Sequence, residues 1–237
     1  MIINAADLDA TSAYKLLIGS ILPRPIAWVS TRSTQGVDNL APISFFTAVG
    51  RKPPRVSLSI QPRMDGTTAK DTLTNIRETG EFVVNLAVLP LADAVHRSAY
   101  EFETDVDEFE ELGLAKAESV AVKPPRVKES PINMECVTFQ IFDDPNSPAA
   151  VVWGEVVRFH IRDDLYMENG RIDIGAIPAV GRLAGEYTLV ENVFFTPVEE
   201  EVLAARKGQR MKRLDGRDES YSPIDAGSWS PSGSTID

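Results

Sequence analysis

Residues 23–60 read PRPIAWVSTRSTQGVDNLAPISFFTAVGRKPPRVSLSI, and this stretch predicts three short strands on a tight frame. The first run, Ile26-Ala27-Trp28-Val29-Ser30-Thr31, is β-branched and aromatic, and it starts just after prolines that cannot sit inside a central strand. Thr34-Gln35-Gly36 supplies a turn, with Gly36 free to take positive φ. The chain re-enters a strand through Asn39-Leu40-Ala41-Pro42-Ile43-Ser44-Phe45-Phe46. Pro42 has no N–H for a ladder, so this stretch is expected at a sheet edge or a bulge, or facing something other than a strand. After Pro53-Pro54, Val56, Leu58 and Ile60 alternate with Ser57, Ser59 and Gln61, the pattern of a half-exposed strand.

Beyond that stretch, Lys70 to Thr79 reads as a short helix that ends at Gly80, placed where a helix C′ residue belongs. Glu81 to Val88 follows as a buried strand. Leu89 to Tyr100 reads as a helix with Pro90 in its first turn, and Asp105 to Leu112 as another behind an Asp-led cap. Ile132 to Phe142 and Ala150 to Arg162 return to strand, with Val137, Phe139 and Ile141, then Val157, Phe159 and Ile161, alternating with polar neighbours. The pattern is mainly β with inserted helices.

Composition narrows the function classes. With 43% hydrophobic residues in 237, the chain can build a real core, and its formal charge of −11 argues against a nucleic-acid or anionic-membrane partner. Cys136 is the only cysteine, so no intrachain disulfide or thiolate metal cluster forms, and a cytoplasmic home is expected. The N-terminal MIINAADLDATSAYK has neither a basic n-region nor a long apolar run, so no signal peptide or membrane span is expected there. His96 and His160 are the two histidines, too few for a multi-histidine metal site. No GxGxxG after a strand, GxxxxGK[ST] or GxSxG is present, which removes the usual supports for Rossmann, P-loop and α/β-hydrolase readings.

The helix start at Lys70-Asp71-Thr72 is a candidate anion site. Unpaired N–H groups, the macrodipole, a lysine and a hydroxyl converge there, with Arg63 just upstream. Alone, the triplet reads more readily as a capped helix with a solvated lysine; beside the strand stretch, the anion site is the favoured reading. The acidic run Glu103 to Glu111 reads as a solvated helix face, and His160, flanked by Arg158 and Arg162, as solvent-exposed. Trp28 is a core residue by size.

The ordered set PRPIAWVST, a Gly turn, DNLAPISFF, KPPRVSLSI and KDTLTNIRETGEFVVNL resembles the flavin reductase-like family of FMN-binding split barrels, which includes flavoredoxin-like proteins. The likeness runs from Tyr14 to Leu86 and returns more weakly from Val151 to Pro197; Gly50 stands where relatives commonly have Ser. The resemblance implies a Greek-key split β-barrel with peripheral α-helices over residues 1–197. Residues 198–237, polar and rich in Ser, Pro, Gly and Asp, are expected to form a flexible extension, with Tyr221, Ile224 and Trp229 as candidate anchors against a partner subunit. The resemblance also implies FMN, with FAD less favoured, bound by Trp28, Ser30, Thr31, Asn39, Leu40, Ala41, Pro42, Ser44, Phe45, Lys70 and Thr72. Arg182 and Tyr187, in the late GRLAGEY loop, are implied to meet the substrate side, Arg182 attracting a dinucleotide phosphate; a glycine-bounded turn with a core tyrosine explains them equally.

The implied activity is hydride transfer from NAD(P)H to flavin, whose electrons then pass to free flavin, a partner monooxygenase or another acceptor. The implied assembly is a homodimer. An FMN electron carrier without nicotinamide reactivity, and a binding module that has lost the cofactor, are the alternatives. No side chain is expected as a general base, because hydride transfer to flavin N5 uses the cofactor's own chemistry.

Overall fold

The protein is described by a computed structural model over residues 2–191; the expected extension from residue 198, with Tyr221, Ile224 and Trp229, lies outside the described residues. Residues Ala10–Glu191 form one compact unit. Near the N-terminus Asn4 caps a single 3-10 turn, Ala5–Asp7, by accepting the Ala6 N–H at 3.3 Å.

The unit runs α1 (Ala10–Ser20), β1 (Ala27–Arg32), β2 (Asp38–Ile43), β3 (Phe46–Arg51), β4 (Pro54–Ile60), α2 (Asp71–Thr79), β5 (Glu81–Leu86), α3 (Ala92–Arg97), α4 (Glu108–Leu112), β6 (Lys116–Ala117), β7 (Arg126–Val127), β8 (Ile132–Asp143), β9 (Ala150–Ile161), β10 (Val180–Arg182) and β11 (Tyr187–Leu189). Seven strands make one sheet in the order β2-β1-β5-β8-β9-β4-β3, every neighbour antiparallel. Its two edge strands, β2 and β3, are consecutive in the chain and joined only by Ser44 and Phe45. So short a link forces the sheet to curl and brings its two edges toward each other, while the Phe45 carbonyl accepts the Ser59 N–H at 2.8 Å and extends the β3–β4 ladder by one residue. Pro42 lies opposite Trp28 in β2, an edge strand, as its missing N–H requires.

The curled sheet encloses Val29, Leu58, Ile60, Phe82, Val84, Cys136 and Val152, with Leu73 and Ile76 of α2 packed against them. Gly154 makes this packing close: a Cβ there would stand 2.2 Å from Phe82 Cζ. A second core joins Ile26, Trp28, Leu40, Val95, Phe109, Val127 and Val180. Strand β1 is therefore buried on both faces, Ala27 and Val29 toward one core and Trp28 toward the other. Gly80 ends α2 in the left-handed region at φ 72°, its N–H bonded to Ile76 O at 2.9 Å.

Several elements differ from expectation. Helix α1 occupies residues read only as a lead-in, because it buries just Ile18 and carries little apolar periodicity. The helix expected over 89–100 is a 3-10 turn, Leu89–Leu91, followed by the shorter α3. His160, expected to be exposed, is half-buried with Nε2 against Glu135 Oε1; the fully buried carboxylate also accepts the backbone N–H groups of Val120 at 2.8 Å and Ala121 at 2.5 Å. No helix among the described residues is long and apolar enough to cross a membrane.

Candidate functional site

Strand β2 lies on the sheet edge next to the start of α2, and residues 98–102 beyond α3 and the short α4 complete a cleft there. Asn39 and Ala41 contribute from β2, Lys70 and Thr72 from the α2 start, and Glu108 from α4. No side chain caps α2: Lys70 is its N-cap in an extended conformation, φ −68° and ψ 148°, without a side-chain cap bond. Its first N–H groups and the positive end of its dipole therefore stand at the cleft wall. The Lys70 ammonium makes no ion pair among the described residues, whereas Arg63 is spent on Asp71 at 2.6 Å and on the Phe102 carbonyl at 3.1 Å.

A hydrogen-bond relay fixes the polar wall. Asn75 Nδ2 donates to Thr31 Oγ1 at 3.0 Å, and Thr31 donates to Asn39 Oδ1 at 3.3 Å. The same Oδ1 takes the Thr72 hydroxyl at 2.9 Å. With its oxygen doubly engaged, the Asn39 amide turns its Nδ2 onto Glu108 Oε1 at 2.6 Å, and the Leu40 N–H donates to Glu108 Oε2 at 3.1 Å. Glu108 is only 5% exposed. Burial pushes its carboxyl up to about 7, with Asp71 adding to the rise and the hydrogen bonds from Leu40 and Asn39 opposing it.

The structure thus brings Asn39, Ala41, Lys70 and Thr72 to one cleft and places Thr31 directly behind them. Leu40 offers the cleft only backbone, its side chain being in the second core. Pro42, Ser44 and Phe45 continue along the same edge, half-buried, with the Phe45 ring 6.4 Å from Tyr14 and 5.8 Å from the Arg24 guanidinium.

Two expected contact residues lie in the interior. Trp28 is fully buried with its indole N–H on Ser98 Oγ at 2.8 Å, and Ser30 is fully buried with its hydroxyl on the Pro125 carbonyl at 2.6 Å. Both lie on a strand covered on each face, so neither side chain has a surface to offer a ligand.

Arg182 and Tyr187 pair across the β10–β11 hairpin, the guanidinium 4.5 Å from the ring centroid. Tyr187 Oη lies 3.3 Å from His96 Nδ1, and the His96 ring meets edge-on Tyr100, a residue of the cleft, at 5.8 Å between centroids. A row of three rings therefore connects the hairpin with the cleft. Burial raises the Tyr187 phenol, and Arg182 works against that rise.

Glu108 is the site residue that sequence reasoning missed, because the acidic run around it reads as a solvated face. The usable signal was its position: Asp107 caps a five-residue helix through the Phe109 N–H at 3.0 Å, and Phe109 is fully buried, so the first turn cannot face only water.

Comparison with known proteins places this geometry in context. Residues 18–175, more than half of the chain, match the flavin reductase like domain. Nitrilotriacetate monooxygenase component B from Bacillus cereus is 36% identical with a TM-score of 0.78, covering 82% of this chain and 98% of that one. The 2-nitrobenzoate 2-nitroreductase NbaA of Pseudomonas fluorescens is 29% identical with a TM-score of 0.73, covering 84% and 98%. A split-barrel protein of Shewanella frigidimarina, 22% identical with a TM-score of 0.72 over 84% and 100%, shares the fold. The curled seven-stranded sheet is a split barrel, and the chain belongs to the flavin reductase like domain family.

Proposed function

We propose that this chain binds FMN in the β2–α2 cleft and acts as an NAD(P)H-dependent flavin reductase, its electrons passing to free flavin, a partner monooxygenase or another acceptor. The observation that carries the reading is the α2 start: an uncapped helix N-terminus and an unpaired lysine beside a hydroxyl, in an otherwise acidic chain. These donors fit a phosphate. Bound flavin supplies a ring that takes hydride from reduced nicotinamide.

The chain's own residues hold and orient. Lys70 and the first N–H groups of α2 take the phosphate, and Thr72, locked through Asn39, keeps the wall in place. The edge of β2 from Ala41 through Pro42 to Ser44 offers backbone groups to the ring's polar edge, with Phe45 closing the apolar side. Thr31 and, more remotely, Trp28 and Ser30 act by positioning β1 behind the site. Arg182 attracts the phosphates of a dinucleotide, and Tyr187 shapes the face where it docks.

Likeness to a monooxygenase component supports a monooxygenase partner. A homodimer is supported by half-exposed Phe139 and Phe142 on β8, apolar rings that a second copy would cover. Fluorescence titration with FMN tests the cleft. Lys70→Ala is expected to weaken binding about tenfold to a hundredfold, since a hydrogen bond to a charged group contributes about 1.5–3 kcal/mol. Unchanged affinity in Lys70→Ala and Thr72→Ala would remove FMN from this cleft.

A further inference from the structure

Glu108 is a buried carboxylate in the cleft that no cation reaches among the described residues. The charges around it are already matched. From the loop before α2, Arg63 pairs with Asp71 at 2.6 Å. From β2, Asp38 pairs with Arg32 at 2.6 Å and with Lys116 at 2.8 Å, and Lys116 also holds Asp107 on Glu108's own helix. From the segment after α3, Glu101 accepts the Met64 N–H at 2.6 Å, and Tyr100 adds a phenol. Lys70 is left to balance Glu101, so an ionised Glu108 gives the cleft a surplus negative charge just where an anionic ligand would enter.

A carboxylate with both oxygens accepting has one way to relieve that surplus. Asn39 Nδ2 and the Leu40 N–H approach Oε1 and Oε2 respectively, the residue's own N–H adds a third bond, and the carboxyl otherwise borders the cleft. A proton added to the carboxyl therefore has the cleft as its free direction, and the neutral acid gains an O–H to donate. We propose that Glu108 is a proton-linked positioning residue: seating a phosphate-bearing flavin takes one proton from solvent onto its carboxyl, whose O–H then donates to a ligand oxygen while Asn39 and Leu40 stay bonded. The inference rests on the flavin reading above. It follows that pH sets occupancy: as pH rises, binding must still supply the proton to Glu108, and affinity falls. The burial that lifts the carboxyl to about 7 makes this linkage act at physiological pH.

Calorimetry with FMN and the full chain at pH 7.5, in two buffers of different ionisation enthalpy, counts protons taken up per ligand bound. Glu108→Gln provides the difference that removes FMN's own phosphate titration, which lies at about 6. Wild type is expected to take up roughly half a proton or more beyond Glu108→Gln, and its Kd to rise by up to about tenfold per pH unit above neutrality while the variant's stays flat. Equal uptake in both proteins overturns the proposal. So does a wild-type Kd that does not change between pH 7 and 8.5, a result that needs no variant and holds even if Glu108→Gln fails to fold. Absence of any FMN heat or spectral shift overturns the flavin reading itself, an outcome distinct from binding without proton uptake.

Discussion

Glu108 and Glu135 are both buried glutamates, yet their surroundings assign them opposite work. Glu135 is fully buried between β8 and the 119–122 loop, where the N–H groups of Val120, Ala121 and Val122 and the His160 ring all face its carboxylate. Burial alone would raise its carboxyl, but the Val120 bond, the His160 bond and the Ala121 bond together hold it below the usual range. Glu108 accepts from its own N–H, Leu40 and Asn39 and meets no cation among the described residues, and its carboxyl goes the other way because burial outweighs those bonds. A buried carboxylate surrounded by donors fastens a loop. One whose bonds are outweighed by burial, beside a cleft, is a functional-site candidate.

Removing the better-satisfied carboxylate is expected to cost most. Glu135→Ala strands three backbone N–H groups and His160, and should lower the unfolding free energy in urea by about 3–5 kcal/mol; a loss near zero would mean that the loop is not fastened there. The next effect is a pH dependence that Glu135 cannot show. An unfolded glutamate ionises near its ordinary 4.5, while folded Glu108 keeps its proton until about 7, so between these values the folded chain binds more protons and stability falls as pH rises. Discounted for the solvated cleft mouth, the fall is about 2 kcal/mol across that window. Urea titrations at pH 5 and pH 7.5 should show it in wild type and not in Glu108→Gln.

Asp107→Ala removes the cap of the helix that carries Glu108, with an expected loss of about 1 kcal/mol in the same unfolding assay and weaker FMN binding through the displaced Glu108. His160→Gln, which keeps a donor near Glu135, should cost less than about 1 kcal/mol. If it matched Glu135→Ala, the His160 contact rather than the backbone bonds would be the fastening.

The same contrast explains what the sequence made legible. Alternation in Val56-Ser57-Leu58-Ser59-Ile60 and in β8 and β9 exposed the half-buried strands, and Gly80 marked the end of α2, because local periodicity and backbone conformation write directly into residue type. Pro42 announced an edge. The ordered motif stretch led to the cleft through Asn39, Ala41, Lys70 and Thr72. The burial of Trp28 and Ser30 was not legible, because a strand buried on both faces has no polar alternation to show which side is free. Glu108 was hidden because an acidic run reports net charge, whereas burial of one member depends on Phe109 packing into a core assembled from β1, β2 and α3. Helix α1 carried too little apolar periodicity to be seen, since it buries a single residue.

The central claim is met most directly by following the visible spectrum of the FMN-loaded protein under anaerobic conditions while NADH, and then NADPH, is added. Bleaching of the bound flavin band by one of them at a rate fast compared with free FMN is the predicted result. A band that binds and stays oxidised with both donors would contradict the reductase reading and leave a flavin carrier that draws electrons from another protein.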